Sequence, residues 1–194
     1  MVGDPYQTDN DPACYPGTTI LRNIHDFRDA EVLESFEIEA VALRSEEGLP
    51  TGDLDTAHYQ SIHRHLFQDI YEWAGEYRTI RTAKGGNWFC YPENIDQEME
   101  RLFARLAGQK FQAGSDVEQF VPALADFIGD LNAIHPFREG NGRTQLVFIR
   151  LLGQNAGQLF RPESVEADEF LSAMIASFYG KMDALIDELE RMLA

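Results

Sequence analysis

The sequence predicts an all-α fold with one small β-hairpin. Apolar residues recur at spacings of three and four over most of the 194-residue chain, the period of helices with one buried face. Residues 78–91 are instead rich in β-branched and aromatic residues. The chain is long enough for one well-cored domain and short for two. We therefore expect an N-terminal arm over residues 1–23 and a single domain over residues 24–194.

The first 50 residues predict an irregular arm followed by one helix. Residues 1–23 hold several Pro, Asp, Asn and Gly residues, which predicts an irregular arm packed on the core. A helix follows Asp26 and ends at Gly48 and Pro50. Its predicted buried face consists of Leu33, Phe36, Ala40 and Leu43.

A second helix begins after Asp55, whose side chain can cap it. The residues at four-residue spacing along its predicted buried face are His58, Ile62 and Leu66. We interpret His63 and His65 as ordinary surface groups rather than metal ligands.

A β-hairpin is predicted between Tyr77 and Tyr91. Arg78–Thr82 and Trp88–Tyr91 have the composition of strands, and the Lys-Gly-Gly-Asn run at 84–87 can join them. The alternative is a loop that merely connects two helices.

The second half of the chain predicts further helices. Pro92 begins one, and Ser115 with Glu118 has the pattern of a capping box for the next, which leads to His135. The apolar stripe of that helix consists of Phe120, Leu124, Phe127, Ile128, Leu131 and Ile134. Another helix runs from Arg143 through Leu152. Two C-terminal helices are predicted from Phe170, Met174 and Phe178, and from Met182, Leu185, Leu189 and Met192.

Composition argues against several classes of protein. A formal net charge of −17 disfavours binding to a nucleic-acid backbone, which needs clustered Lys and Arg. No apolar run is long enough to span a membrane, and the N-terminus lacks the pattern of a signal peptide. We expect a protein that is cytoplasmic where it is made, with export as an effector left open. Cys14 and Cys90 have neither metal-ligand spacing nor a disulfide framework.

The stretch His135–Arg143, HPFREGNGR, concentrates groups suited to phosphate chemistry. Pro136 ends the preceding helix and leaves the imidazole of His135 at a helix-to-loop boundary. Gly140 and Gly142 allow a tight turn into the next helix, whose N-terminus attracts anions. The carboxylate of Glu139 and the guanidinium of Arg143 flank this cradle.

This stretch resembles the signature of the Fic family, His-Pro-Phe-x-Asp/Glu-Gly-Asn-Gly-Arg, with every fixed position matched. Similarity to stand-alone bacterial Fic toxins continues in residues 11–24, Leu66–Gly75 and Leu131–Leu152. The resemblance implies an all-α Fic-domain bundle with a β-hairpin "flap", residues 78–91, beside a signature loop, residues 135–143. It implies a protein adenylyltransferase that transfers AMP from ATP to a Ser, Thr or Tyr hydroxyl of a target protein, as a bacterial toxin or effector.

The resemblance also implies a role for each residue of the signature. His135 would be the base, Phe137 a buried anchor and Glu139 the magnesium ligand. The nucleotide phosphates would be bound by Gly140, Asn141, Gly142 and Arg143. Arg138, at the variable position, is expected to face solvent. The target segment would dock by strand addition on flap residues Ile80, Arg81, Thr82, Trp88, Phe89 and Cys90.

One departure from the family pattern leaves the donor open. Active members commonly carry a second arginine three residues after Arg143, where this chain has Leu146. Transfer of UMP, GMP, phosphate or phosphocholine is therefore an alternative, as is a catalytically weak phosphate-binding module. The inhibitory Ser/Thr-x-x-x-Glu-Gly/Asn motif of the family has no full copy here, since Ser35–Glu39 is followed by Ala40. We expect no intramolecular inhibitor, and a small antitoxin that supplies the inhibitory glutamate is the candidate partner.

Overall fold

A computed structural model describes residues 11–84, 86–110 and 113–193. Within them, it confirms the predicted class, with seven α-helices and one two-stranded antiparallel sheet. The helices are α1 (Ala30–Glu46), α2 (Thr56–Phe67), α3 (Ile95–Gly108), α4 (Val117–Ile134), α5 (Asn141–Ala156), α6 (Ala167–Phe178) and α7 (Asp183–Arg191). The strands are β1 (Ala83–Lys84) and β2 (Asn87–Trp88).

Helix α4 occupies the centre of the bundle. It packs against α3, α5, α6 and α7, while α5 also packs against α2. The apolar stripe that the sequence predicts on α4 is buried at every position, namely Phe120, Leu124, Phe127, Ile128, Leu131 and Ile134. This burial fixes the direction of α4 and therefore the place where its C-terminal end delivers His135.

Aspartate side chains cap three of the helices. Asp55 caps α2 as predicted, since its Oδ1 accepts the amide of His58 at 2.8 Å. The cap of α4 is Asp116, whose Oδ1 accepts the amide of Gln119 at 3.0 Å. The predicted capping box at Ser115 was therefore wrong by one residue. A carboxylate in this position also interacts favourably with the helix dipole.

Helix α1 lies on the surface and buries a narrow face against α2. Leu33, Ala40 and Val41 are buried, whereas Leu43 is 66% exposed. The predicted burial of Leu43 was therefore wrong. The helix turns this residue away from α2, and Val41 takes its place in the core.

Residues 11–23 lie against the bundle as an irregular segment with an isolated bridge between Cys14 and Leu21. Residues 1–10 of the expected arm lie outside the described residues. Arg138 is only 4% exposed, and its Nε donates to Oδ2 of Asp11 at 2.5 Å. The expectation that Arg138 faces solvent was therefore wrong, since this buried ion pair fastens the signature loop to the segment.

The hairpin prediction is confirmed, with strands closer to the turn than expected. Ala83 pairs with Trp88 and Lys84 with Asn87, so two residues predicted in the turn belong to strands. The segment before β1 contacts the signature loop, because the amide of Arg78 donates to the carbonyl of Pro136 at 2.8 Å.

In the described part of the chain, no helix combines the length and apolarity needed to cross a membrane.

Candidate active site

The signature loop connects α4 to α5, and both of its ends adopt left-handed backbone conformations. His135 follows the last residue of α4 with φ 51°, and Gly140 precedes the first residue of α5 with φ 79°. The helix boundary that Pro136 predicted is confirmed. A left-handed conformation is uncommon outside glycine, so the backbone of His135 is held in place by its surroundings.

Phe137 and Asn141 hold the loop together. Phe137 is fully buried and stacks on His63, with ring centroids 3.8 Å apart. The side chain of Asn141 accepts the amide of Phe137 at 3.0 Å and donates to its carbonyl at 2.8 Å. Both hydrogen bonds of the Asn141 side chain therefore close the loop, and its backbone N–H is the group that can bind a phosphate.

His63 is a buried structural residue, so its interpretation as a surface group was wrong. It is fully buried, and its Nδ1 accepts the amide of Gly75 at 2.8 Å. Its Nε2 must then carry the proton and donate to the carbonyl of Glu139 at 3.0 Å. Burial lowers the pKa of His63 to about 4, which keeps it neutral. The four-residue spacing of Tyr59, His63 and Phe67 is the sequence signal for this buried face.

His135 is buried under the flap. Its ring lies parallel to that of Phe89, with centroids 3.8 Å apart and planes inclined by 6°. Burial lowers the pKa of His135 from 6.5 to about 3, and the charges of Arg78 and Lys84 act in the same direction. The imidazole is therefore neutral at physiological pH, as a proton acceptor must be before the reaction.

Arg78 joins the flap to the signature loop, a role that the sequence did not reveal. Its Nε donates to the carbonyl of His135 at 2.8 Å, and its Nη2 donates to Cys90 at 2.6 Å and to Ile134 at 3.1 Å. Its Nη1 reaches the carbonyl of Ile80. Burial lowers the pKa of Arg78 to about 10, so it remains a cation at neutral pH. Its acceptors are backbone carbonyl oxygens, which every residue carries, so no side-chain pattern in the sequence predicts these contacts.

The N-terminus of α5 offers an open cradle. A Cβ on Gly140 would lie 2.3 Å from the ring of Phe67, so the fold itself excludes a side chain there. A Cβ on Gly142 would meet no described atom within 4 Å, so the space beside Gly142 is open. The amides of Asn141, Gly142 and Arg143 lie in the first turn, where they have no acceptor within the helix. This arrangement fits an anion.

Glu139 and Arg143 both line the cavity at this cradle. The Oε1 of Glu139 accepts the amide of Gly140 at 2.8 Å. Among the described residues no group of three His, Cys, Asp or Glu side chains could hold a metal ion, so a metal at Glu139 would need ligands from a bound molecule. One carboxylate suffices for magnesium when phosphates supply further oxygens. The residues present therefore fit a magnesium ion that arrives with a nucleotide.

Arg143 is paired with Glu37 of α1. Its Nη2 lies 2.7 Å from Oε1 of Glu37 and 3.5 Å from Oε1 of Glu139. Burial raises the pKa of Glu37 to about 7, against the opposing charge of Arg143. Glu37 lies within Ser35–Glu39, the nearest match to the family's inhibitory motif, and it contacts Arg143. An intramolecular carboxylate thus reaches the site, although the family's inhibitory motif is incomplete.

A cavity of about 510 Å³ opens beside the cradle, a size typical of small-molecule sites. His135, Glu139 and Arg143 line it on one side. Its apolar wall consists of Leu146, Phe170, Leu171, Met174, Ile175 and Phe178. Gln145 also lines the cavity and is 1% exposed, and its Nε2 has no hydrogen-bond partner among the described residues. Gln145 was not predicted as a site residue, because it is not a fixed position of the signature.

The flap borders the mouth of this cavity. Lys84 and Asn87 line it, and Asn87 Nδ2 donates to the hydroxyl of Tyr179 at 2.8 Å, beyond the end of α6. Of the predicted docking residues, Thr82 and Phe89 are buried, so their side chains face the protein interior. The partly exposed ones are Ile80, Arg81, Trp88 and Cys90.

The chain is similar to known proteins over most of its length. Residues 53–153 match the family model described as the Fic/DOC family. The probable protein adenylyltransferase y4lH of Sinorhizobium fredii is 50% identical over 189 residues, which cover 97% of this chain and 98% of that protein. The probable protein adenylyltransferase Fic of Escherichia coli is 31% identical over 192 residues, which cover 95% of this chain and 92% of that protein.

A solved structure matches over a similar extent. The crystal structure of BepC, a VirB-translocated effector protein of Bartonella tribocorum with bound AMPPNP, superposes with a TM-score of 0.85 at 27% identity. The superposition covers 94% of this chain and 96% of that one. The family model covers more than half of the chain, and it includes the cradle, His135 and most of α5. This chain belongs to the Fic/DOC family.

Proposed function

We propose that this chain is a protein adenylyltransferase that transfers AMP from ATP to a Ser, Thr or Tyr hydroxyl of a target protein. The observation that carries the proposal is a buried, neutral His135 in the same cavity as the open N-terminus of α5. Curated relatives named protein adenylyltransferases span nearly the whole chain, and a related structure binds AMPPNP, a nucleotide. Both findings favour a nucleotide as the donor.

In this proposal His135 is the general base. Its imidazole accepts the proton of the target hydroxyl while the hydroxyl oxygen forms a bond to the α-phosphorus of ATP. The bond between the α-phosphorus and the oxygen that bridges to the β-phosphate breaks, and its electron pair leaves with pyrophosphate. The pKa of about 3 in the free protein makes His135 a weak base, so the anionic phosphates have to raise it when they bind.

The remaining signature residues would hold the nucleotide. The backbone amides of Asn141, Gly142 and Arg143 would donate to phosphate oxygens, where negative charge accumulates during transfer, while Gly140 would allow the turn that presents them. Arg143 would contribute a cation once its guanidinium turns from Glu37 toward the phosphates. Glu139 would hold a magnesium ion, which when bound neutralises charge on the phosphates.

Leu146 favours one second candidate, the same chemistry with a different donor. It lines the cavity as an apolar residue where active family members commonly place an arginine. Transfer of UMP, GMP, phosphate or phosphocholine is therefore the alternative. A weak phosphate-binding module is disfavoured, because simple binding needs no neutral, buried base beside the cradle.

Label transfer tests the proposal directly. Wild type and His135→Ala are incubated with α-labelled ATP, UTP, GTP or CTP and with bacterial or host lysate. We expect labelled target bands from ATP with the wild type and none with His135→Ala. His25→Ala is the matched control, since His25 is exposed and lies outside the cavity. Transfer from UTP, GTP or CTP would select a different nucleotide donor, and the absence of label from all four would contradict nucleotidyl transfer.

A toxin or effector role with a small antitoxin completes the proposal. The antitoxin would supply a glutamate, but Leu146 offers it no salt bridge and Glu37 already occupies Arg143. Co-expression with the neighbouring genes of the native operon tests this partner. Repeated purification of the chain alone from such an operon would contradict it.

A further inference from the structure

The flap is a cationic segment on an acidic protein. The whole chain carries a formal net charge of −17, yet no Asp or Glu lies between Glu76 and Glu93. The cations of this segment are Arg78, Arg81 and Lys84. Arg78 is buried against carbonyl oxygens, and Lys84 lines the main cavity. Arg81 is the remaining cation of the flap, and it does not line the main cavity.

Arg81 lies between two exposed aromatic rings. Its guanidinium carbon is 4.5 Å from the centre of the Trp88 ring and 3.9 Å from that of Tyr91. Trp88 is 49% exposed and Tyr91 is 48% exposed. We call these three residues the flap platform. Two cation–π contacts hold the guanidinium in place and restrict its rotation, so less conformational entropy is lost when it binds a ligand.

The guanidinium of Arg81 has no anionic partner within the described part of the chain. None of the ion pairs there includes it, and its Nε is buried without a hydrogen-bond partner. By contrast, Arg44, Arg105, Arg138, Arg143 and Arg191 all contact carboxylates. A guanidinium held against aromatic rings still has two terminal NH₂ groups, which can bind a carboxylate through two hydrogen bonds.

The platform faces away from the nucleotide cavity. Phe89 stacks on His135 and lines the cavity, whereas its neighbour Trp88 does not line it. Successive residues of an extended strand point to opposite faces, which explains this division. Arg81 and Tyr91 are likewise absent from the cavity lining. The platform is therefore suited to the protein acceptor rather than to the phosphates of the donor.

We propose that Arg81, Trp88 and Tyr91 form a carboxylate-binding platform that selects target segments with an Asp or Glu a few residues from the modified hydroxyl. This inference rests on the proposed function, in which the flap docks the acceptor. Trp88 of the platform is followed directly by Phe89, whose ring contacts His135, so the platform lies close to the proposed base. A segment bound beside the flap advances about 3.3 Å per residue, so the selected acid lies near the hydroxyl in sequence.

A degenerate peptide library tests the platform without requiring catalysis. Peptides with a central Tyr, Ser or Thr are captured on the wild-type protein and sequenced. We expect enrichment of Asp or Glu at a fixed offset from the central residue. A captured peptide should bind about tenfold more tightly than its Asp→Asn version when measured by fluorescence anisotropy.

Charge reversal identifies the residue responsible. Arg81→Glu should lose the acidic enrichment and favour Lys or Arg at the same offset, while Arg81→Gln should lose it without inversion. The matched control is Arg101→Glu on α3, which makes the same charge change at a side chain that is 78% exposed. It should keep the acidic preference. A thermal melt of each variant verifies that it is folded.

Three outcomes would overturn the inference. They are captured peptides without acidic enrichment, no captured peptide at all, and an acidic preference that Arg81→Glu retains. Failure of the proposed function would look different, because an inactive protein would transfer no label from any donor nucleotide. Such a protein could still capture acidic peptides through Arg81, so the two readouts separate the platform from the chemistry.

Discussion

The ring of Phe89 lies flat against the imidazole of His135, with centroids 3.8 Å apart. The flap and the end of α4 thus meet at the residue proposed as the base. Arg78 reinforces this contact, because it binds the carbonyl oxygens of Cys90 and His135 simultaneously. A change in the flap should therefore affect the base as well as the docking of a target.

Phe89→Ala should lower kcat for AMP transfer by about tenfold or more, because the imidazole loses the ring that fixes its orientation. KM for ATP should change much less, since the ring of Phe89 stacks on the base and is not one of the proposed phosphate-binding groups. Steady-state kinetics measure both constants. Phe89→Tyr, which preserves the stack, should restore most of the activity, and an unchanged kcat in Phe89→Ala would contradict the role.

The lowered pKa of His135 predicts a neutral base over the physiological range. Because its pKa falls from 6.5 to about 3, the unfolded chain binds a proton more readily between these values. The stability associated with this group is present above pH 6.5 and is lost as the pH falls toward 3. NMR of the free protein should show no titration of His135 near pH 6.5. A midpoint there would contradict the prediction.

The raised pKa of Glu37 predicts the opposite pH dependence. Its pKa rises from 4.5 to about 7, so its contribution to stability is present below pH 4.5 and is lost as the pH rises through 7. Glu37→Gln should therefore gain on the order of 3 kcal/mol relative to the wild type between about pH 5 and about pH 8. Denaturant unfolding at several pH values measures this difference.

The same variant tests whether Glu37 competes with phosphate. Removing the carboxylate charge frees the guanidinium of Arg143, so Glu37→Gln should bind ATP several-fold more tightly in calorimetry. Glu34→Gln is the control, because Glu34 lies on the same helix and is not among the partners of Arg143. Weaker ATP binding by Glu37→Gln would instead show that Glu37 positions the arginine.

Gln145 should contribute to donor binding. Its buried amide nitrogen has no partner among the described residues and lies in the cavity wall, where a nucleotide oxygen could accept its N–H. We expect Gln145→Leu to raise KM for ATP about tenfold while the melting temperature stays equal or rises, since an unsatisfied polar group is removed. Gln97→Leu, an exposed change on α3, is the control. Unchanged KM would exclude this contact.

The two glycines of the cradle should respond differently to alanine. Gly140→Ala should destabilise the fold by more than about 1 kcal/mol, because φ is 79° and the Cβ would strike Phe67. Gly142→Ala should leave the melting temperature equal or higher, because it lies in α5 with open space around it. It should nevertheless weaken nucleotide binding, which calorimetry measures. Full affinity in folded Gly142→Ala would argue against a phosphate beside Gly142.

Much of the local structure could be read from neighbouring residues. Asp55 marks the start of α2 and Pro136 the end of α4, because caps and proline act within a few residues of their own position. The predicted hairpin exists, although Lys84 and Asn87 belong to its strands. The composition of residues 78–91 predicts strands, but the amide of Arg78 bonds to the carbonyl of Pro136, outside the hairpin.

The helical class and the contents of the signature loop could be predicted, because the residues that carry them are contiguous or recur at the helical period. Tertiary packing brings the distant groups to that loop. Arg78 binds the carbonyl of His135 across 57 residues, Arg143 meets Glu37 across 106, and Arg138 meets Asp11 across 127. These contacts depend on how whole helices and the N-terminal segment pack against one another. No local pattern records that packing, since burial and the pKa of a side chain arise from neighbours brought together by the fold.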